Sequence, residues 1–298
     1  MKQEYVKKEQ VKKEQPKKEQ PKRAQVKKDQ PRKESAKKEE ELLRLNKYIS
    51  HNTEHSRREA DKLIADGKVT INKKPITDMG CKVSETDVVA INNKAIRVEK
   101  NKIVTVIVYN KPKGELVTKS DPQGRKTIFD TLGKKYKHFL PVGRLDYASE
   151  GVLLLTDSVD VLNGLLHSNL ERVYKIKVNG IITKAIENAM NQGLELEDAT
   201  KGARSDSKIK SMTFAPFIGY QIQSNNKNFS KIKVVIAEGQ NRELRRFFAH
   251  FDLDVLDLKR LDFGGITLNN LPTGKRRYLS REEYKNLREY IGDVEINE

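Results

Sequence analysis

The sequence predicts an α+β protein in two folded parts behind a charged tail. The first is a small α/β module over residues 41–100. The second, over residues 101–298, is a larger unit built on a mostly antiparallel mixed sheet with flanking helices. Three observations carry this reading. Residues 1–40 repeat in pentads that offer almost nothing to bury. A capped helix followed by short alternating strands begins soon after Glu41. Beyond residue 101 the apolar runs have strand length and do not alternate strictly with helical windows, which favours α+β over a doubly wound sheet.

The composition narrows the function classes. The 298 residues include 59 Lys plus Arg against 42 Asp plus Glu, a net charge of +17, with mean hydropathy −0.74. That excess favours a polyanionic partner such as nucleic acid. No apolar run approaches the roughly 18–20 residues of a membrane span, and the N-terminus lacks a signal-peptide core. A membrane protein is therefore not expected. Cys81 stands alone, which excludes an internal disulfide framework and fits a reducing cytoplasm.

The tail consists of seven pentads from Val6 to Glu40, such as Val6-Lys7-Lys8-Glu9-Gln10. Residues 1–40 hold 15 Lys/Arg and 8 Asp/Glu, so they carry +7 of the charge and leave +10 for the rest. Pro16, Pro21 and Pro31 interrupt any continuous helix. A solvated, disordered basic tail is expected, able to scan polyanions but holding no chemistry.

In the module, Leu42, Leu43, Leu45, Tyr48 and Ile49 have helical spacing. Ser56-Arg57-Arg58-Glu59 is a capping-box pattern opening a second helix with Ala60, Leu63 and Ile64 on its apolar face, ended by Gly67. Val69 and Ile71 alternate as a strand, Asn72–Pro75 form a turn, and Val83, Val88, Val89 and Ile91 mark further strands. Arg57, Arg58, Lys62, Lys68, Lys73 and Lys74 gather around the second helix and the turn. They make either a solvated face or a phosphate-binding one. The runs LNKYIS and SRREADKLIADGKVTINKKP resemble the small RNA-binding module first named from ribosomal protein S-four, which implies a structured-RNA partner.

In the larger part, strands are expected at Val104–Tyr109, Val152–Thr156, Val173–Val178, Lys231–Ile236 and Val255–Leu261. Helices are expected at Ile128–Leu132, Ser158–His167, Thr183–Asn191 and Arg242–His250. No dinucleotide turn, phosphate loop, zinc helix or serine elbow occurs, and the five histidines have no metal-ligand spacing. Three places stand out. A glycine-bracketed loop, Val142 to Gly151, carries Asp146 straight into a buried strand, where it either stabilises the turn or presents a carboxylate on a rigid scaffold. Strand alternation puts Tyr174 and Ile176 on one face, so Tyr174 is a core or a site tyrosine. Arg242, Arg245 and Arg246 have the spacing of one helix side and follow Asn241.

These motifs, in this order, resemble the pseudouridine synthases that modify ribosomal RNA. The carrying residues are GRLDYASEGVLLLT, VYKI, EGQNRELRRFF and the closing LPTGKRRYLSREE. Asn110–Asp130 is similar to the large-subunit synthase B subgroup. The resemblance implies isomerisation of uridine, most simply in 23S rRNA, by a flipped-out base and without a cofactor or metal. It implies Asp146 as the aspartate acting at the ribose, as nucleophile or as base, and Arg245 as its partner, since a nearby cation favours an ionised carboxylate. It implies Tyr174 stacked on the base. Arg144, Asn241, Arg242 and Arg246 are expected on RNA, with Lys111 and Lys113 as further phosphate contacts. A cytoplasmic monomer acting on ribosomal RNA is expected. A small-subunit 16S rRNA synthase and a non-catalytic assembly factor are the alternatives.

Overall fold

In the computed structural model, residues 42–53, 55–84, 86–97 and 104–291 are described; the pentad tail expected to be disordered lies outside them. The N-terminal part runs β1 (Leu43–Arg44), α1 (Leu45–Asn52), α2 (Arg57–Ala65), β2 (Val69–Ile71), β3 (Lys74–Ile76), β4 (Lys82–Val83), β5 (Val89–Ile91) and β6 (Lys94–Ala95). The capping box forms as its spacing predicts. Ser56 Oγ accepts from the Glu59 amide at 3.3 Å, and Glu59 Oε2 accepts from the Ser56 amide at 2.6 Å. Such a cap is worth about 1 kcal/mol. Leu45, Ile49, Ala60, Ile64, Val69 and Val89 are buried together. The first helix starts three residues later than the apolar spacing suggests. Leu43 and Arg44 instead pair with Val83 and Lys82, and Leu42 stays exposed.

The larger part contains β7 (Val106–Lys111), α3 (Ile128–Leu132), a 3₁₀ turn (Lys134–Tyr136), β8 (Leu140–Pro141), β9 (Glu150–Thr156) and α4 (Val159–Leu166). It continues with β10 (Arg172–Val178), α5 (Lys184–Gln192), β11 (Leu194–Leu196), β12 (Met212–Phe214), β13 (Gly219–Asn225) and β14 (Ser230–Ile236). It closes with α6 (Glu243–His250), β15 (Val255–Phe263), β16 (Ile266–Thr267), β17 (Arg276–Tyr278) and α7 (Arg281–Ile291). The main path of the large sheet is β13-β14-β10-β15-β9-β7-β17. Its pairs are antiparallel except β9 with β15.

The burial patterns explain the sequence patterns. β7 is buried at every position and β9 at all but its first, because both faces of these central strands are covered. Ile107, Tyr109, Leu153 and Leu155 belong to a core with Ile128, Ile186 and Phe247, whereas Val106, Val108, Val152 and Leu154 belong to one with Leu165 and Leu287. A strand covered on both faces reads as a continuous apolar run. β14, nearer the edge, is buried at alternate positions. The sequence reading did not place β13, β17 or α7. The helix had a signal, since Tyr284, Leu287 and Ile291 follow the helical spacing of one apolar face and are buried.

Candidate active site

The loop bearing Asp146 is held from both ends and from beneath. β8 pairs with β9 through Leu140–Thr156 and Pro141–Leu155, and the Val142 amide donates to the Leu154 carbonyl at 2.8 Å. The chain then turns, the Ser149 amide donating to the Asp146 carbonyl at 3.0 Å, and returns as β9. Beneath the turn lies Lys111, which is fully buried. Its Nζ donates to the carbonyls of Pro112, Asp146 and Ser149 at 2.9, 3.1 and 2.9 Å. Burial pushes this ammonium down to about 8, against the upward pull of Glu115, Asp146 and Glu150. The expectation of Lys111 on phosphate is thereby overturned: its donors are spent on the loop backbone. Lys113 is half-exposed and pairs with Asp257 at 2.8 Å.

Two arginines converge on the carboxylate. Arg242 precedes α6 with φ 54° and ψ 29°, so it stands outside the helix and not along its side. Arg242 Nη1 and Arg245 Nε each donate to Asp146 Oδ2 at 3.2 Å. Arg242 Nε also donates to the Gly202 carbonyl at 2.7 Å. Arg245 is held further by the Val255 carbonyl at 3.0 Å and Ser149 Oγ at 3.2 Å. Burial lowers the Arg245 pKa, and Asp146 pulls it back up. Among the described residues no donor reaches Asp146 Oδ1, and the side chain keeps 32% exposure. The carboxylate is thus clamped on one oxygen and open on the other.

A cleft opens at this carboxylate, lined by Asp146, Tyr174, Arg144, Arg172, Glu243 and Arg260, among others. Tyr174 is 7% exposed and sits in register between Val234 and Arg260. Arg144 is exposed at the loop. The sequence reading missed Arg172 and Arg260, although Arg172 lies two residues before Tyr174 and so on the same strand face. Arg172 donates to the Leu170 carbonyl at 3.1 Å, and Arg260 Nε to the Val152 carbonyl at 2.6 Å.

One expected RNA contact must be corrected. Arg246 is fully buried and donates to the Asn241 and Ile209 carbonyls at 3.1 and 3.2 Å and to Ser207 Oγ at 2.7 Å. It pins a loop and presents nothing to a phosphate. Arg242 is turned onto Asp146 and the Gly202 carbonyl. Asn241 gives its side-chain oxygen to Arg246 at 3.3 Å. In the N-terminal part Arg57, Arg58, Lys62, Lys73 and Lys74 are all exposed. Among the described residues no three His, Cys, Asp or Glu side chains gather where a metal could bind, and no helix is long and apolar enough to cross a membrane.

Residues 105–250, which contain the clamped aspartate, match the RNA pseudouridylate synthase family, and residues 43–89 match the S4 domain. An uncharacterised RNA pseudouridine synthase of Helicobacter pylori (strain J99) is 53% identical over 84% of this chain and 95% of its own. The chain belongs to the RNA pseudouridine synthase family. The ribosomal large subunit pseudouridine synthase B of Bacillus subtilis is 35% identical over 82% of this chain and 95% of its own. A crystal structure of a pseudouridylate synthase shares the fold, with TM-score 0.54 and 22% identity over 82% of this chain and 99% of the other. The chain is accordingly an isomerase with an RNA substrate.

Proposed function

We propose that this enzyme converts a uridine of large-subunit ribosomal RNA to pseudouridine, with Asp146 as the group that acts at the ribose. The observation that carries the proposal is the clamp: Arg242 and Arg245 are both on Asp146 Oδ2, and Asp146 lines the same cleft as Tyr174. The choice of ribosomal substrate follows the likeness to large-subunit synthase B.

The reaction breaks the N1–C1′ bond, turns the uracil and joins C5 to C1′. The C5 proton leaves and N1 gains one, so the atoms balance without a co-reactant. To reach a buried cleft the target base must leave its stack, at a cost of a few kcal/mol. Oδ1 is the free oxygen, so it is the one that meets the sugar. The two guanidiniums keep the other oxygen fixed, so the reacting lone pair is pre-aimed. The Tyr174 ring closes one side against water and gives the base a flat face. The exposed basic residues Arg57, Arg58, Lys62, Lys73 and Lys74 hold RNA phosphates, and Arg144 meets the strand at the mouth of the cleft.

Ribosomal RNA transcribed with 5-tritiated uridine tests this. The wild type releases tritium, and Asp146→Asn does not. Release by the variant at the wild-type rate would remove Asp146 from the chemistry.

A further inference from the structure

One edge of the large sheet carries a groove that the reaction does not use. Among the described residues β17 pairs only with β7, Arg276 opposite Tyr109 and Tyr278 opposite Ile107, so its outer side is an open edge. The 3₁₀ turn packs beside it. The Arg276 guanidinium lies 4.2 Å from the Tyr136 ring centre and Lys135 Nζ 5.6 Å from it. The hydroxyls of Tyr136 and Tyr278 are 3.3 Å apart. Between them is a cavity of about 530 Å³ walled by Tyr136, Phe139, Tyr278 and Tyr284, among others. That falls within the roughly 300–1,000 Å³ of ligand clefts.

Charge defines the rim. Lys134, Lys135, Lys275 and Arg276 are exposed, and none makes an ion pair with a carboxylate among the described residues, whereas Lys137 beside them is drawn to Asp130. Like charges left together repel unless an external polyanion neutralises them. Tyr278, on the same strand as Arg276, is 53% exposed. Cations tracking a backbone and an open ring for a base are the parts of an unpaired-RNA site. The groove is separate from the cleft. Thr105 and Asp157, which also wall it, mark the far end of β9 from the Asp146 loop. At about 3.3 Å per residue that strand spans about 20 Å.

We propose that this groove binds an unpaired stretch of the RNA substrate about 20 Å from the target uridine, with phosphates on Lys135 and Arg276 and one base on Tyr278. The proposal rests on the reading that RNA is the substrate. It separates recognition of flanking RNA from chemistry on the uridine.

The test is binding of a 20-nucleotide oligouridylate and of a 20-base-pair RNA duplex to the full chain, followed by fluorescence anisotropy across a salt series. For the double variant Lys135→Glu/Arg276→Glu, the oligouridylate log–log salt slope should become shallower by about 1.4, at about 0.7 per phosphate contact. Tyr278→Ala should weaken oligouridylate binding about 5- to 150-fold, the worth of one stacked base, and leave duplex binding within twofold. Both variants should raise KM for ribosomal RNA and keep kcat. Unchanged slope and affinity for the oligouridylate would overturn the proposal, as would equal losses on duplex and single strand for Tyr278→Ala. Pseudouridine formation by the wild type tests the uridine reading independently, so the two failures are distinguishable.

Discussion

Gly151 and Arg260 meet backbone to backbone across the parallel β9–β15 pairing: a Cβ placed on Gly151 would lie 2.1 Å from the Arg260 carbonyl oxygen. Gly151 also has φ +107°, a conformation that side chains with a Cβ rarely adopt. On its other side it pairs with Lys111, the residue that pins the Asp146 turn. One glycine therefore sets the spacing of the strand that launches the aspartate and the strand that carries Arg260 into the cleft.

Gly151→Ala should cost about 3 kcal/mol or more, from forced backbone conformation and overpacking of about 1–3 kcal/mol each. The strands must part to admit the methyl group, so tritium release should fall with stability. Urea denaturation and the release assay together check this. A variant as stable and active as the wild type would show that the strands separate at no cost.

Arg242 and Arg245 share one carboxylate oxygen but are not equivalent. Arg245 is the more buried, at 12% side-chain exposure against 21%, and its other donors hold the Val255 carbonyl and Ser149. A lysine cannot reproduce that fork. Arg245→Lys should lower single-turnover release about 10- to 150-fold, the worth of a charge-assisted hydrogen bond of about 1.5–3 kcal/mol. Arg242→Lys should cost less. Equal losses would make the clamp symmetric, contrary to its surroundings.

Strands and helices were legible where hydrophobic runs were long, as at Val152–Thr156, or where a cap announced a start, as at Ser56. The site was legible as three loci but not as a geometry. Spacing alone placed Arg242, Arg245 and Arg246 on one helix side. The left-handed turn at Arg242 breaks that periodicity and sends its side chain to Asp146, while Arg246 enters the core. Lys111 was unreadable for a related reason. A lysine at the end of an apolar strand looks like a solvent-facing charge until the fold supplies three carbonyls for it. Arg260 joins Tyr174 only through strand pairing, which a linear pattern does not contain.

Lys111→Met should take the lysine donor from those three carbonyls, of which the Asp146 carbonyl keeps the Ser149 amide. Each unsatisfied buried acceptor costs about 1–3 kcal/mol, less whatever water reaches the turn. A loss of about 3 kcal/mol is expected, which lowers Tm by about 6–12 °C in a domain of this size. Tritium release should fall further than stability alone accounts for, because the same substitution frees the Asp146 turn. Thermal melts and single-turnover release at a temperature where the variant is folded separate the two effects. A variant that melts low but reacts at the wild-type rate would limit Lys111 to stability.

Glu243 gives the protein a pH dependence that can be signed. It is 5% exposed at the start of α6 and accepts from the Gln240 amide at 2.9 Å. Burial pushes its carboxyl up from 4.5 to about 7, with Glu238 adding to the rise and the Gln240 amide and Arg172 opposing it. Between those two values the folded protein holds a proton that the unfolded chain has released. Stability from this group therefore declines as pH rises from about 4.5 to about 7, by about 3 kcal/mol in all. Glu243→Gln keeps the shape and cannot ionise. The unfolding free energy of the wild type minus that of this variant should fall by about 3 kcal/mol across that window and stay flat above it. Urea denaturation at half-unit pH steps measures the difference directly. A difference that does not move, or that rises with pH, would mean that Glu243 ionises at least as readily in the fold as outside it.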